Sequence, residues 1–133
     1  MKTPILKTKG FTAPVIPFAP VVVAEGKFAF VSGQAPIEPG LDEIKPTRGS
    51  LAQQFNLTMK NVQLHLEAAG SSVENIVHIR IFLSANDQQN WALMTEEFKK
   101  WFPDPAKWPA RTTIGCQLAG GMDIEIDCIA LVP

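Results

Sequence analysis

Apolar positions along this chain recur with two different periods, and the changes between them divide it into elements. Val21-Val22-Val23 and the stretch from Lys27 to Ser32 are β-rich and flank Ala24-Glu25-Gly26. That arrangement predicts a hairpin with Gly26 in its turn. Residues 1–16, with Pro4 and Pro14, read as an extended leader. Residues 35–48 carry Pro36, Pro39, Gly40 and Pro46 and read as an exposed loop. A helix then begins at a capping box. Ser50 accepts from an orphan N–H, and Gln53 reaches back to the cap. Phe55, Met59, Val62 and Leu66 lie on one face of that helix, and Gly70 closes it.

Ile76 to Leu83 is a dense β-branched run, which predicts a central strand. Trp91, Met94, Phe98 and Trp101 or Phe102 mark the inner face of a second helix, ended by Pro103. Arg111 to Leu118 and Met122 to Val132 read as two strands around a tight turn at Gly120-Gly121. In the last strand Ile124, Ile126, Cys128 and Ala130 point one way, and Glu125, Asp127, Ile129 and Leu131 the other. The order β-β-α-β-α-β-β predicts an α+β domain with both helices on one face of the sheet. The other face is partly apolar, and burial by oligomerisation is its expected fate.

Composition narrows the class. A chain of 133 residues, 46% hydrophobic and 19% charged, fits one domain, residues 1–133. Twelve basic and thirteen acidic residues offer no electrostatic case for nucleic acid. The longest plain apolar run, Pro20 to Ala24, is too short for a bilayer, and no secretory leader is recognisable. The expectation is a cytoplasmic protein that binds no membrane. Cys116 and Cys128 are then expected to be reduced core thiols.

Few residues are candidates for chemistry. There is no C-x-x-C, no H-E-x-x-H and no phosphate-binding glycine loop. His65 and His78 have no neighbours with ligand spacing, so no metal site is expected. Arg111 follows Trp-Pro-Ala at the mouth of a strand, where its rigid fork suits a carboxylate. Glu125 is a lone acid between Ile124 and Ile126 and needs a partner if buried. If their strands are neighbours, the two residues approach each other. A structural ion pair at a sheet edge is then as good an explanation as a binding site. Arg80, an isolated cation on the central strand, reads as structural or interfacial.

Three segments carry a resemblance to a known family. They are Phe30-Val31-Ser32-Gly33-Gln34-Ala35-Pro36, Trp108-Pro109-Ala110-Arg111-Thr112-Thr113 and Asp123-Ile124-Glu125-Ile126-Asp127-Cys128-Ile129-Ala130. Together with Asn61 to Ser72 they resemble the Rid family, also called YjgF, in order across residues 13–132. The resemblance implies a chorismate-mutase-like fold with a mixed sheet of about six strands. It implies a homotrimer with active sites between subunits, and no cofactor. The best-understood branch hydrolyses reactive 2-imino or enamine acids to 2-oxo acids and ammonia.

By that resemblance Arg111 binds the substrate carboxylate and Glu125 positions or activates water. Phe18, Ser32, Gly33 and Thr113 line the substrate. Phe18 stands where that branch commonly has tyrosine, and Thr113 where a cysteine is common. There is also a two-residue insertion near Asn86 to Asn90, and Thr95 replaces an asparagine on the second helix. The alternatives are a specialised deaminase of an aromatic or amino-acid degradation pathway, or a non-catalytic trimer that binds small carboxylates. Some relatives carry a ribonuclease label, which the near-neutral charge argues against here.

Overall fold

The computed structural model describes residues 1–40 and 49–133, so residues 41–48 of the expected loop lie outside it. Six strands and two helices follow in the order β1 (Lys2–Ile5), β2 (Val21–Ala24), β3 (Lys27–Gln34), α1 (Leu51–Ala68), β4 (Ile76–Leu83), α2 (Gln88–Trp101), β5 (Ala110–Gly115) and β6 (Ile124–Val132). The α+β class, the two helices and the mixed sheet are as the sequence predicts. Four strands form that sheet, in the order β3-β6-β4-β5, and β1 and β2 make a separate antiparallel pair.

The expected hairpin between β2 and β3 does not form. Pairing places β2 against β1 and β3 against β6. The two-residue link has hairpin length, but Gly26 at φ 132 sends the chain from one sheet into the other. A Cβ at Gly26 would stand 3.1 Å from Leu131 Cδ1, so the turn is packed onto the end of β6. The leader is extended as expected, yet its first residues are a strand. The Met1 amine donates to the Glu25 carbonyl at 2.6 Å, and Lys2 Nζ donates to the Glu74 and Lys107 carbonyls. Non-local pairing thus overrides the local turn signal.

The helix signals are obeyed more closely. Gln53 N–H donates to Ser50 Oγ at 3.1 Å, and Ser50 N–H donates to Gln53 Oε1 at 2.9 Å. Gly70 takes φ 77 past the end of α1. Phe55, Met59, Val62 and Leu66 of α1, with Met94 and Phe98 of α2, are fully buried. They pack on Ile79, Ile81 and Leu83 of β4 and on Ile124, Ile126 and Cys128 of β6. One face of the sheet is therefore covered. Along β4 and β6 the alternate residues Arg80, Phe82, Glu125, Asp127 and Ile129 point to the open face. Phe30 is 76% exposed. Arg80 is paired with Asp127, its Nε donating to Oδ1 at 2.9 Å across the β4–β6 pair.

Candidate active site

The β5 edge strand, parallel to β4 and reached through α2, carries the first half of the site. Its start is fixed by the leader, because Ala19 N–H donates to the Pro109 carbonyl at 2.8 Å. That bond holds Phe18 over the next segment of β5. Arg111 pairs with Ile79, a core residue, and so points to the helix-covered face. Its guanidinium carbon lies 5.0 Å from the Phe18 ring centroid, 5.5 Å from Trp91 and 4.8 Å from Phe98. These distances are cation–π contacts.

Arg111 Nη2 donates to Thr95 Oγ1 at 3.3 Å. Arg111 Nη1 is buried with no hydrogen-bond partner among the described residues. Burial lowers the pKa of Arg111 to about 10, so the group keeps its charge at neutral pH. Thr113, two residues on and paired with Ile81, faces the same way. Its Oγ1 is also buried, with no partner among the described residues. Buried polar atoms are normally satisfied, so two orphans on one strand face call for an explanation.

The second half lies elsewhere. Glu125 pairs with Phe82 on the open face. The expected contact between Arg111 and Glu125 is absent within one chain, for two geometric reasons. Strand β4 stands between β5 and β6, and the two side chains leave the sheet on opposite faces. The ion-pair explanation for Arg111 falls with that contact. Glu125 instead meets Gly33, where an added Cβ would lie 2.7 Å from Glu125 Oε2. Ser32 and Gly33 occupy a break in the β3–β6 register between Val31 and Gln34. Such irregularities free backbone groups from the ladder, and they are common beside active sites.

The predicted residues therefore fall into two groups, Phe18, Arg111 and Thr113 on one side and Ser32, Gly33 and Glu125 on the other. Trp91 and Phe98 are additions. The helical pattern assigns them to the core, and only a charged residue arriving from β5 turns them into a cage. Thr95 sits on the same α2 face, and a buried hydroxyl between those aromatics is the signal that could have pointed to it. The cysteines take no part. Burial, helped by Asp127, pushes the Cys128 thiol up to about 12. Cys116 is free and half-buried just past β5 rather than in the core. His65 is exposed on α1, and His78 lies half-buried on β4.

A family model described as Endoribonuclease L-PSP matches residues 10–132. The chain belongs to that family, the Rid family. A mitochondrial relative, protein mmf2 of Schizosaccharomyces pombe, is 39% identical over 112 residues, covering 81% of this chain and 82% of its own. A RutC family protein of Pyrococcus horikoshii is 30% identical and covers 95% of both chains. The crystal structure of YyfB from Yersinia pestis, described as a conserved Rid family protein of unknown function, superposes with a TM-score of 0.84 over 98% of both chains. At 21% identity, that likeness speaks for the fold. Among the described residues, no helix is long and apolar enough to cross a membrane.

The second half of the candidate site yields one prediction. Gly33→Ala forces the Glu125 carboxylate aside, because 2.7 Å is closer than a Cβ tolerates. The displaced atoms are the tip of a flexible side chain, so stability should change by less than about 1 kcal/mol. If Glu125 takes part in catalysis, turnover should fall by about a hundredfold, the scale of a misplacement of about 1 Å in a site. Parallel melting curves and rate measurements check both parts.

Proposed function

We propose that this Rid protein hydrolyses reactive 2-imino and enamine acids to 2-oxo acids and ammonia. The observation that carries the reading is the pair of orphans, Arg111 Nη1 and Thr113 Oγ1, buried on one face of β5. A planar acid is a fitting partner. Its carboxylate accepts from a guanidinium edge, and the aromatic cage raises the strength of that contact by excluding water. Glu125 does not compete for the charge, since it lies on the other face.

The chemistry asks little beyond this. An enamine takes a proton on carbon 3 to become the imine. Water adds to carbon 2, the carbon–nitrogen bond breaks, and nitrogen departs as ammonia. Arg111 fixes the acid, which contributes through orientation. Glu125 accepts a proton from the attacking water and returns it to the departing amine. Phe18 brings no hydroxyl where the family branch often has one, so in this proposal its part is to cover the guanidinium.

One chain cannot close both halves on one small molecule. We therefore place the site between copies in a homotrimer, Arg111 of one subunit facing Gly33 and Glu125 of the next. Phe28 and Phe30, exposed on β3 beside the second half, supply apolar surface for such contact.

The test is to couple the protein to a threonine dehydratase, which releases the unstable enamine. Wild type should speed the appearance of 2-oxobutanoate and ammonia. No acceleration from an assembled trimer overturns the proposal, and ligand binding without turnover would leave a carboxylate-binding protein. A ribonuclease assay, with Arg111→Ala as control, checks whether the endoribonuclease activity for which the family is named resides in this site.

A further inference from the structure

The carboxylate reading turns on Arg111 Nη1, and that atom is buried. An acid reaches it only after a covering group has moved. Three rings surround the guanidinium, and they differ in freedom. Phe98 is fully buried and stacks on Phe102 with ring centroids 4.6 Å apart. Trp91 is packed against the same core from α2. Phe18 is half-buried on the leader, outside every strand and helix. The Phe18 ring also lines an apolar hollow of about 450 Å³, together with Phe11, Pro14, Pro20 and Val21. We propose that Phe18 is the gate of the site, its ring closed over Arg111 in this structure and swinging into the hollow to admit the acid.

The inference rests on the carboxylate reading of Arg111 and goes beyond it to how the acid enters. The backbone beside the gate is fixed. Phe18 N–H donates to the Ile16 carbonyl at 2.7 Å, and Ala19 N–H donates to the Pro109 carbonyl at 2.8 Å. The motion therefore belongs to the side chain, which turns about its Cα–Cβ bond from one staggered rotamer to another. The far wall of the hollow is also held in place. Phe11 N–H donates to the Thr8 carbonyl at 3.0 Å, and Lys7 Nζ donates to the Phe11 carbonyl at 2.9 Å. A cavity of about 150 Å³ already accepts a benzene molecule, so the hollow has room for the ring. Leaving Arg111 gives up one of three cation–π contacts. Entering the hollow covers apolar surface on Phe11, which is 69% exposed, and on Val21. These opposing terms are of similar size, and a balance of that kind keeps both positions of the ring populated.

Calorimetric titration of the assembled protein with 2-oxobutanoate tests the gate. An acid that must displace the ring binds with an affinity reduced by the fraction of open molecules. Phe18→Ala should therefore tighten binding by about threefold or more. Val21→Trp and Thr12→Trp each fill the hollow from an exposed position and should weaken binding by about tenfold. In a Phe18→Ala background the same two substitutions should change nothing, since no ring then needs the space. Weaker binding by Phe18→Ala overturns the proposal and makes the ring a contact of the acid instead. A filling effect that persists without the ring, or no filling effect in either variant, overturns it as well. Failure of wild type to bind, or equal binding by an Arg111→Met variant, would instead overturn the carboxylate site on which the gate rests.

Discussion

On the proposed reaction, replacing Arg111 with methionine is expected to remove turnover while leaving stability nearly unchanged. The guanidinium sits among three aromatic rings and, among the described residues, has one hydrogen bond, to Thr95, with Nη1 unpartnered. Burial lowers its pKa to about 10, which corresponds to a charge penalty on the order of 3 kcal/mol. The rings return on the order of 1 kcal/mol each through cation–π attraction. The opposing terms nearly cancel. Methionine is unbranched and flexible enough to occupy the same channel between the rings. The net change in unfolding free energy should stay within about 1 kcal/mol. Activity should fall by at least about a hundredfold, because the carboxylate loses its charge-assisted contact and its orientation. Denaturant unfolding beside kcat/KM separates the two effects. A loss of several kcal/mol, or a broken assembly, would show Arg111 to be a structural residue.

The second large effect concerns assembly. If each site takes Arg111 from one subunit and Glu125 from its neighbour, two inactive variants should rescue each other. Arg111→Ala and Glu125→Gln trimers, unfolded together and refolded as mixtures, would regain activity that neither has alone. With random assortment in a closed ring, about one quarter of the sites receive both intact residues. The expected recovery is therefore about one quarter of the wild-type rate. Mixing without unfolding should give none over the same period, because the subunits have not exchanged. Absence of any rescue in verified mixed trimers would place both residues in one subunit's site, or show that one of them is dispensable. This experiment tests the division of the site more directly than either single variant.

Much of the molecule was legible in advance because its signals are local. The Ser50–Gln53 capping box, the four-three-four spacing after Phe55 and the left-handed Gly70 fix α1 through contacts within one or two turns. The β-branched run from Ile76 to Leu83 became β4 with the same boundaries. Strand pairing was harder. The turn at Gly26 looked like a hairpin, yet β2 took β1 as its partner and β3 took β6. A sequence window does not contain the competing partner, which here lies about a hundred residues away. Strand β5 also ends before the Arg111 to Leu118 run does, since the chain leaves the ladder after Gly115.

The sequence by itself determined the element types, the buried faces, the family and the residues with chemical potential, Arg111 and Glu125 above all. Those follow from periodicity, capping and short motifs, all encoded within a few residues. Only the tertiary structure decided how these residues relate. It inserted β4 between the strands that carry them, turned the two side chains to opposite faces and enclosed Arg111 among Phe18, Trp91 and Phe98. The physical reason is that alternation along a strand gives each side chain a face but not a neighbour. Neighbours are set by which strands pair and which helix covers them, and those depend on packing across the whole chain.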